Sequence, residues 1–275
     1  MHALHCGTSS WSEKTWVGSF YPPGTKPADM LTYYATQFTT VEADNTYYRV
    51  PTRAMVRGWR EKTPTGFTMC AKFPRSIVHC GEGAAPDATK VLVPEHVDAE
   101  LERFVDVMGE LGDRAGPLVL QFPYFNESAF RDQAEFLARL DPFLARLPTT
   151  FRYGVEVRNK AWVNQALLDV LRAHRAAFVL LDLVYMPHPA SMKLDLVTTD
   201  FSYVRLIGDR KAVEAATDTF DHIVLDKSDM LERWAQYLLA LLPRVRIYGY
   251  ANNHYAGHGP DTIRDLARRI EAGRD

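Results

Sequence analysis

Residues 153–158 read Tyr-Gly-Val-Glu-Val-Arg, and this segment says most about the architecture of the protein. Apolar and charged residues alternate in it, and a period of two residues indicates a β-strand with two different faces. Val155 and Val157 share one face, which suits packing against helices, whereas Glu156 and Arg158 share the other. A strand with one helix-facing side and charges on its other side is typical of the wall of an α/β barrel, where the charges reach the mouth.

Similar short apolar runs recur along the whole chain, and helical periods separate them. The predicted strands cover residues 3–9, 39–43, 67–73, 118–122, 153–157, 177–182, 203–207 and 245–251. The predicted helices lie near residues 29–38, 53–61, 97–111, 128–140, 163–173, 229–241 and 261–271. Eight strands that alternate with helices predict an α/β fold with a parallel sheet, a single (β/α)8 TIM barrel. The alternative is an open doubly wound sheet, but Gly7-Thr8-Ser9-Ser10 is not its glycine-rich first turn.

Nothing in the sequence divides the chain, so we expect one domain over residues 1–275. Three connections are longer than an α/β unit needs: 74–96, 183–200 and 208–228. Each follows a strand, which places it at the carboxyl-terminal face of a barrel, where long loops often have functions. The segment 183–200 contains two prolines and takes the place of a sixth helix.

Composition excludes several classes of protein. Lys and Arg total 32 against 34 Asp and Glu, a net charge of −2, so the chain is neither a strongly basic nucleic-acid coat nor an acidic disordered tail. Three cysteines without a Cys-x-x-Cys spacing predict neither a disulfide framework nor a structural zinc site. No signal-peptide pattern begins the sequence and no apolar run approaches the roughly 20 residues that span a bilayer. We therefore expect a cytoplasmic protein that does not enter membranes.

The candidate site consists of polar residues at strand ends, since a barrel active site is built from the ends of several strands. Three acids are candidate catalytic residues: Glu42, Glu156 and Asp182. We expect Glu42 or Glu156 to be the general base, with Asp182 as its partner. Three cations are expected to hold an anionic substrate group: Lys72, Arg158 and Arg205. Three amides are candidate orienting groups: Gln121, Asn252 and Asn253.

Other interpretations of these residues stay open. The cations and acids could form a self-neutralising ring around the mouth. Glu42 and Glu156 could act as a glycosidase pair, although a neutral sugar does not need the three cations. Lys72 could form a Schiff base. A metal site is not predicted, because most histidines lie elsewhere and cations crowd the mouth, and no motif identifies a cofactor.

Several motifs carry a resemblance to a known family. They include Gly7-Thr-Ser-Ser-Trp11, Trp16-Val-Gly-Ser-Phe-Tyr-Pro22, Val41-Glu-Ala-Asp-Asn-Thr-Tyr-Tyr48, Leu120-Gln-Phe-Pro123 and Val155-Glu-Val-Arg158. Together with Tyr203-Val-Arg205 and the pair Asn252 and Asn253, they resemble the YecE-like barrel family, also called domain of unknown function 72. The resemblance spans nearly the whole chain. It implies a single (β/α)8 barrel with a polar carboxyl face, and no settled activity, substrate or cofactor.

Two functional hypotheses follow. The first is a metal-independent enzyme of the hydrolase or lyase type that acts on a small phosphate-bearing or carboxylate substrate at the barrel mouth. The second is a non-catalytic barrel that binds nucleic acid, in which aromatic residues stack on bases and arginines contact phosphates. The net charge of −2 weighs against the second hypothesis. A nucleic-acid binder should lose affinity steeply as salt rises, which separates the two.

Overall fold

The computed structural model describes residues 3–274, in which eight parallel strands form a nearly closed barrel. Neighbouring strands pair by hydrogen bonds in the order β1-β8-β7-β6-β5-β4-β3-β2. The strands are β1 (Leu4–Thr8), β2 (Thr40–Ala43), β3 (Thr68–Lys72), β4 (Ala115–Gln121), β5 (Tyr153–Glu156), β6 (Ala177–Leu183), β7 (Phe201–Gly208) and β8 (Arg246–Ala251). The predicted (β/α)8 TIM barrel is confirmed, and the carboxyl ends of all eight strands open on one face.

Helices surround the sheet and bury their apolar sides against it. They are α1 (Met30–Gln37), α2 (Arg53–Glu61), α3 (Arg75–Val78), α4 (Pro94–Met108), α5 (Gln133–Ala145), α6 (Gln165–Ala173), α7 (Arg210–Ala216), α8 (Ser228–Leu241) and α9 (Gly259–Ala272). Buried residues of α4 recur at helical spacing, at Val97, Leu101, Phe104 and Met108. Within residues 3–274, no helix combines the length and apolar character needed to cross a bilayer.

The sequence prediction missed two helices and displaced two, of which α4 covers Pro94–Met108 instead of residues 97–111. α3 and α7 lie in the segments 74–96 and 208–228, which were expected to be loops. α5 begins at Gln133 instead of near 128, because Asp132 caps it by accepting a hydrogen bond from the Glu135 backbone N–H. The segment 183–200 has no α-helix and only a short 3-10 turn at Pro189–Ser191, as its prolines predicted.

β1 and β2 meet at a seam where no strand-to-strand pairing joins them. The Tyr34 hydroxyl bridges this seam: it accepts a hydrogen bond from the Thr8 backbone N–H at 2.8 Å and donates to the Thr40 carbonyl at 3.3 Å. The two strands approach closely at Gly7, where a Cβ atom would lie 2.1 Å from the Thr40 carbonyl oxygen. The absence of a side chain at Gly7 therefore allows the barrel to close.

Side chains fill the lumen below the mouth. The Tyr250 hydroxyl lies 2.6 Å from Thr40 Oγ1 and 2.9 Å from Cys70 Sγ, so three strands are linked across the interior. Apolar neighbours complete this layer, at Val119, Val179, Leu181, Phe201 and Tyr248. The interior is packed, as in other barrels of this size, and the polar residues above it form the floor of the mouth.

Candidate functional site

Arg205, at the carboxyl end of β7, is the centre of the mouth and is only 1% exposed. Its Nη2 donates to Glu42 Oε1 at 2.9 Å and its Nε to the same oxygen at 3.2 Å. Its Nη1 donates to Gln121 Oε1 at 2.8 Å and to Glu156 Oε2. The guanidinium thus uses four of its five N–H donors on residues from β2, β4 and β5. Because most of its donors are engaged in this way, Arg205 ties the strand ends together.

Two other cations complete this group, which we call the charge cluster: Glu42, Lys72, Glu156, Arg158 and Arg205. Lys72 Nζ, at the end of β3, lies 3.5 Å from Glu42 Oε1. Arg158 Nε donates to Glu156 Oε1 at 3.0 Å, and the side chain of Arg158 is 26% exposed. Within residues 3–274, the two Nη groups of Arg158 form no hydrogen bond. Lys72 and Arg158 are therefore the cations that keep donors for a ligand.

The charges of the cluster determine how its acids titrate. Burial alone would raise the pKa of Glu42, but the nearby Arg205 and Lys72 hold that pKa below its ordinary value. Glu156 behaves alike, because Arg205 and Arg158 outweigh its burial and lower its pKa. Burial and the neighbouring Arg205 lower the pKa of Lys72. Both glutamates are consequently ionised partners of cations, which makes them weak proton acceptors.

Asp44 differs from these glutamates although it follows Glu42 on the same strand end. It begins a short 3-10 helix, Asp44–Tyr47, and its carboxyl forms no hydrogen bond or ion pair with another side chain of residues 3–274. Burial raises the pKa of Asp44, and the nearby Lys72 only partly offsets this rise. Thr46, two residues on, donates to the Lys72 carbonyl at 2.7 Å and accepts from the Lys72 N–H at 3.0 Å. The chain around Asp44 thereby holds the backbone of Lys72.

The prediction that Asp182 lies in the mouth is wrong. The side chain of Asp182 points to the helix layer, where its Oδ2 accepts from Trp234 Nε1 at 2.7 Å and from the Tyr255 hydroxyl at 2.9 Å. Leu181, the partner of Arg205 in the sheet, faces the lumen instead. The carboxylate is satisfied by two neutral donors outside the barrel wall, so it cannot assist Glu42 or Glu156 in proton transfer.

Asn252 and Asn253 lie at the rim, and both are partly engaged in local structure. Asn252 Oδ1 accepts from the His254 backbone N–H and ring Nδ1, each at 2.9 Å. Asn253 Oδ1 accepts from Trp16 Nε1 at 3.2 Å and from the Gly259 N–H at 2.9 Å. The Asn253 amide therefore joins the first loop to the start of α9, while Asn252 keeps its amide N–H groups.

Three side chains of the site were not among the predicted site residues: Asp44, described above, Tyr203 and Ser9. Tyr203 donates its hydroxyl to Glu42 Oε2 at 2.8 Å. Ser9 lies just beyond β1 and is only 3% exposed. Strand alternation could have found Asp44 and Tyr203, because Asp44 shares a face with Glu42 and Tyr203 shares a face with Arg205. Within residues 3–274, no group of three or more His, Cys, Asp or Glu side chains is arranged to hold a metal ion.

Comparisons with known proteins agree with the fold. Residues 5–275 match the family described as "Protein of unknown function DUF72". UPF0759 protein YecE of Escherichia coli O157:H7 is 30% identical over 191 residues, which are 63% of this chain and 61% of that protein. The chain thus matches about three fifths of the length of this curated relative.

Solved structures with the same fold were also found. A DUF72 family protein from Thermotoga maritima superposes with a TM-score of 0.73 at 24% identity, over 100% of both chains. A D-psicose 3-epimerase has a TM-score of 0.52 at 11% identity, over 98% of both chains. At these identities the likeness shows a shared barrel fold and nothing about substrates.

Proposed function

We propose that this chain, which belongs to the DUF72 family, is an enzyme of the hydrolase or lyase type that acts on a small anionic substrate at the carboxyl face of its barrel. One observation carries the proposal. Lys72 and Arg158 keep unused donors at the mouth, and the carboxyl of Asp44, which no other side chain of residues 3–274 pairs with, lies near Lys72. A carboxyl with a raised pKa near a cation suits acid–base catalysis on a substrate that carries a phosphate or carboxylate group.

The roles within this site follow from which groups are already engaged. Lys72 and Arg158 hold the anionic group, and Arg158 can do so with two parallel N–H donors. Asp44 exchanges the proton, because its pKa is raised. Glu42 and Glu156 are held ionised by Arg205, and their pKa values are lowered. Arg205, Gln121 and Tyr203 act as positioning residues that fix the two glutamates. No metal or cofactor is assigned to any of these roles.

Anion binding should strengthen as the pH falls. With Asp44 ionised, the three acids Glu42, Asp44 and Glu156 balance the three cations. Protonation of Asp44 leaves the site with one excess positive charge, which attracts an anion. Because the pKa of Asp44 is raised, the carboxyl takes up this proton at a pH above 3.8, its ordinary pKa.

A thermal-shift titration tests the proposal. Phosphate and sulfate should raise the melting temperature more than chloride at equal ionic strength, since a ligand that binds the native state stabilises it. Arg158→Gln should remove this excess stabilisation. Arg152→Gln is the matched control, because Arg152 precedes the same strand at the opposite end of the barrel and is exposed. Equal effects of phosphate, sulfate and chloride on the wild-type chain would refute the anion site.

A second candidate function rests on exposed tyrosines around the mouth. Tyr48, Tyr124 and Tyr185 are 72%, 59% and 49% exposed and lie in the loops that follow β2, β4 and β6. Exposed aromatic rings beside cations can stack on the bases of single-stranded nucleic acid. This function predicts binding of a fluorescent oligonucleotide that weakens steeply with salt and with replacement of these tyrosines by serine. An oligonucleotide that shows no binding at low salt would exclude it.

A further inference from the structure

A small pocket opens beside the charge cluster, between the first loop, the end of β8 and the segment 208–228. Its volume is about 180 Å³, the liquid volume of about six water molecules. Its polar lining includes Ser9, Glu13, Asp44, Asn252 and His254, and its apolar lining includes Trp16 and Phe220. Asp44 connects the pocket with the charge cluster, because it lines the pocket and lies close enough to Lys72 for that charge to lower its pKa. A molecule held at Lys72 and Arg158 could thus extend into the pocket past Asp44.

Ser9 is the first sign that the pocket is built for a ligand. Its side chain is almost fully buried, and its Oγ has no hydrogen-bond partner within residues 3–274. Leaving a buried hydroxyl unpaired is energetically unfavourable, so such groups usually serve a purpose. A hydroxyl can both donate and accept, and it therefore fits a ligand group that does the same.

The other polar groups define the chemistry of that ligand. The Asp44 carboxylate and the second oxygen of Glu13 are acceptors, since Glu13 Oε1 already accepts from Thr15, so an anionic group is repelled here and a donor fits. The Oδ1 atom of Asn252 is occupied by His254, which leaves the Asn252 amide N–H groups as donors. An ammonium group offers only donors and would leave these amide hydrogens unmatched. An alcohol hydroxyl can accept from Asn252 and donate to Asp44.

We propose that this pocket binds the hydroxyl-bearing part of the substrate, so that the substrate is a small polyhydroxylated compound with one carboxylate or phosphate group. This inference rests on the proposed function for the anionic end of the substrate, and it adds the chemical class of the other end. Trp16 and Phe220 supply apolar surface for the C–H groups of such a chain, while Ser9, Asp44 and Asn252 take its hydroxyls.

A set of matched four-carbon probes tests both ends separately by calorimetry. Erythronate carries the carboxylate and the hydroxyls, butyrate carries only the carboxylate, and erythritol carries only hydroxyls. We expect erythronate to bind about tenfold or more tighter than butyrate, because its hydroxyls form two or three additional hydrogen bonds. Ser9→Ala should reduce this preference severalfold. Ser76→Ala, which changes an exposed serine of α3 far from the pocket lining, should leave it unchanged.

The outcomes separate this inference from the proposed function. Equal affinity for erythronate and butyrate would overturn the hydroxyl pocket while the anion site stands. Equal affinity for erythronate and erythritol, with no binding of butyrate, would support the pocket and overturn the anion site. Absence of binding by all three probes would overturn the pocket, and the phosphate and sulfate titration would then decide the anion site alone. The probe comparison uses the wild-type chain, so it does not depend on any variant folding.

Discussion

At the scale of single residues, Glu42 shows how strongly the mouth depends on paired charges. It is fully buried and contacts Arg205, Lys72 and Tyr203. Glu42→Gln leaves two buried cations with less compensation, and we expect a loss of about 3–5 kcal/mol in unfolding free energy at neutral pH. Urea unfolding measures it, with Glu102→Gln on the exposed side of α4 as the control.

The loss of stability in Glu42→Gln should depend on pH, because folding shifts the pKa of Glu42. The pKa of Glu42 is lower in the folded chain than its ordinary value of 4.5. The ionised carboxylate therefore stabilises the folded state above about pH 4.5, and this contribution is lost as the pH falls through the folded pKa. The difference between wild type and Glu42→Gln should shrink at acidic pH. A difference that stays constant down to pH 3 would contradict the pairing.

Asp44 should behave in the opposite way. Its pKa is raised in the folded chain, so its ionisation opposes folding once the pH exceeds its ordinary value of 3.8. Asp44→Asn should therefore be as stable as the wild type at acidic pH and more stable at pH 7, as removal of a functional carboxyl often is. It should also remove the pH dependence of sulfate binding. A melting temperature below that of the wild type at pH 7 would show that Asp44 has a structural partner.

Arg158 and Arg205 contact the same glutamate but should differ in their contribution to stability. Removal of Arg205 breaks contacts with two buried glutamates, whereas removal of Arg158 leaves Glu156 paired with Arg205. Arg158→Ala should cost about 0–1 kcal/mol, because its side chain is partly exposed. Arg205→Ala should cost about 3–5 kcal/mol. Chemical unfolding of both variants compares them, and a large loss for Arg158→Ala would favour a purely structural arginine.

At the scale of strands and helices, alternation predicted the faces of most strands and failed on β6. Charges on one face of β2, β5 and β7 mark that face as the mouth, and the structure brings Glu42, Glu156 and Arg205 together there. β6 reads Ala-Phe-Val-Leu-Leu-Asp-Leu and is apolar on both faces, so its only charge was taken as the marker. Trp234 and Tyr255 satisfy that charge outside the barrel, and these partners are 52 and 73 residues away in sequence.

The seam between β1 and β2 gives a prediction at this scale. Gly7→Ala would place a methyl group 2.1 Å from the Thr40 carbonyl oxygen, so the two strands would have to separate. We expect a loss of about 1–3 kcal/mol in unfolding free energy. Gly249→Ala in the neighbouring β8 is the matched control, because a Cβ atom there would lie 3.9 Å from its nearest neighbour, Ile263 Cδ1. Equal stability of the two variants would mean that the seam can open without cost.

At the scale of the whole molecule, the eight-unit repeat was readable from the sequence but the pairing of charges across the mouth was not. The alternation of residues within a strand shows which of its two faces is apolar and which is polar. The contacts of Arg205 with Glu42 and Glu156 span 163 and 49 residues, and only the closed barrel sets their distances. The sequence therefore located the site and left open whether its charges hold each other or a ligand. The structure shows that they hold each other at Arg205 and leaves Lys72 and Arg158 with donors.

The predicted single domain leads to a test of the whole fold. α9 buries Ile263, Leu266 and Ile270 completely and packs against β1, β8 and α8. β1 has hydrogen-bonded strand pairing on its β8 side alone, so loss of α9 removes the layer that covers the closing strand. In one cooperative unit this loss should unfold residues far from α9, including the region around Trp162 in the segment between β5 and α6.

A chain that ends after residue 258 should therefore lose its near-ultraviolet circular dichroism and its cooperative thermal transition. A chain that ends after residue 272 removes only residues beyond α9 and should keep both. If the shorter chain kept a cooperative transition and a native-like aromatic signal, part of the barrel would fold independently of its closing strand. The charge cluster joins β2, β3, β4, β5 and β7 through Arg205 and Lys72. An independently folding part of the barrel would have to keep these contacts without β1 and β8. Titration of the shorter chain with sulfate shows whether the charge cluster survives, because an intact cluster would still bind the anion and an unfolded chain would not.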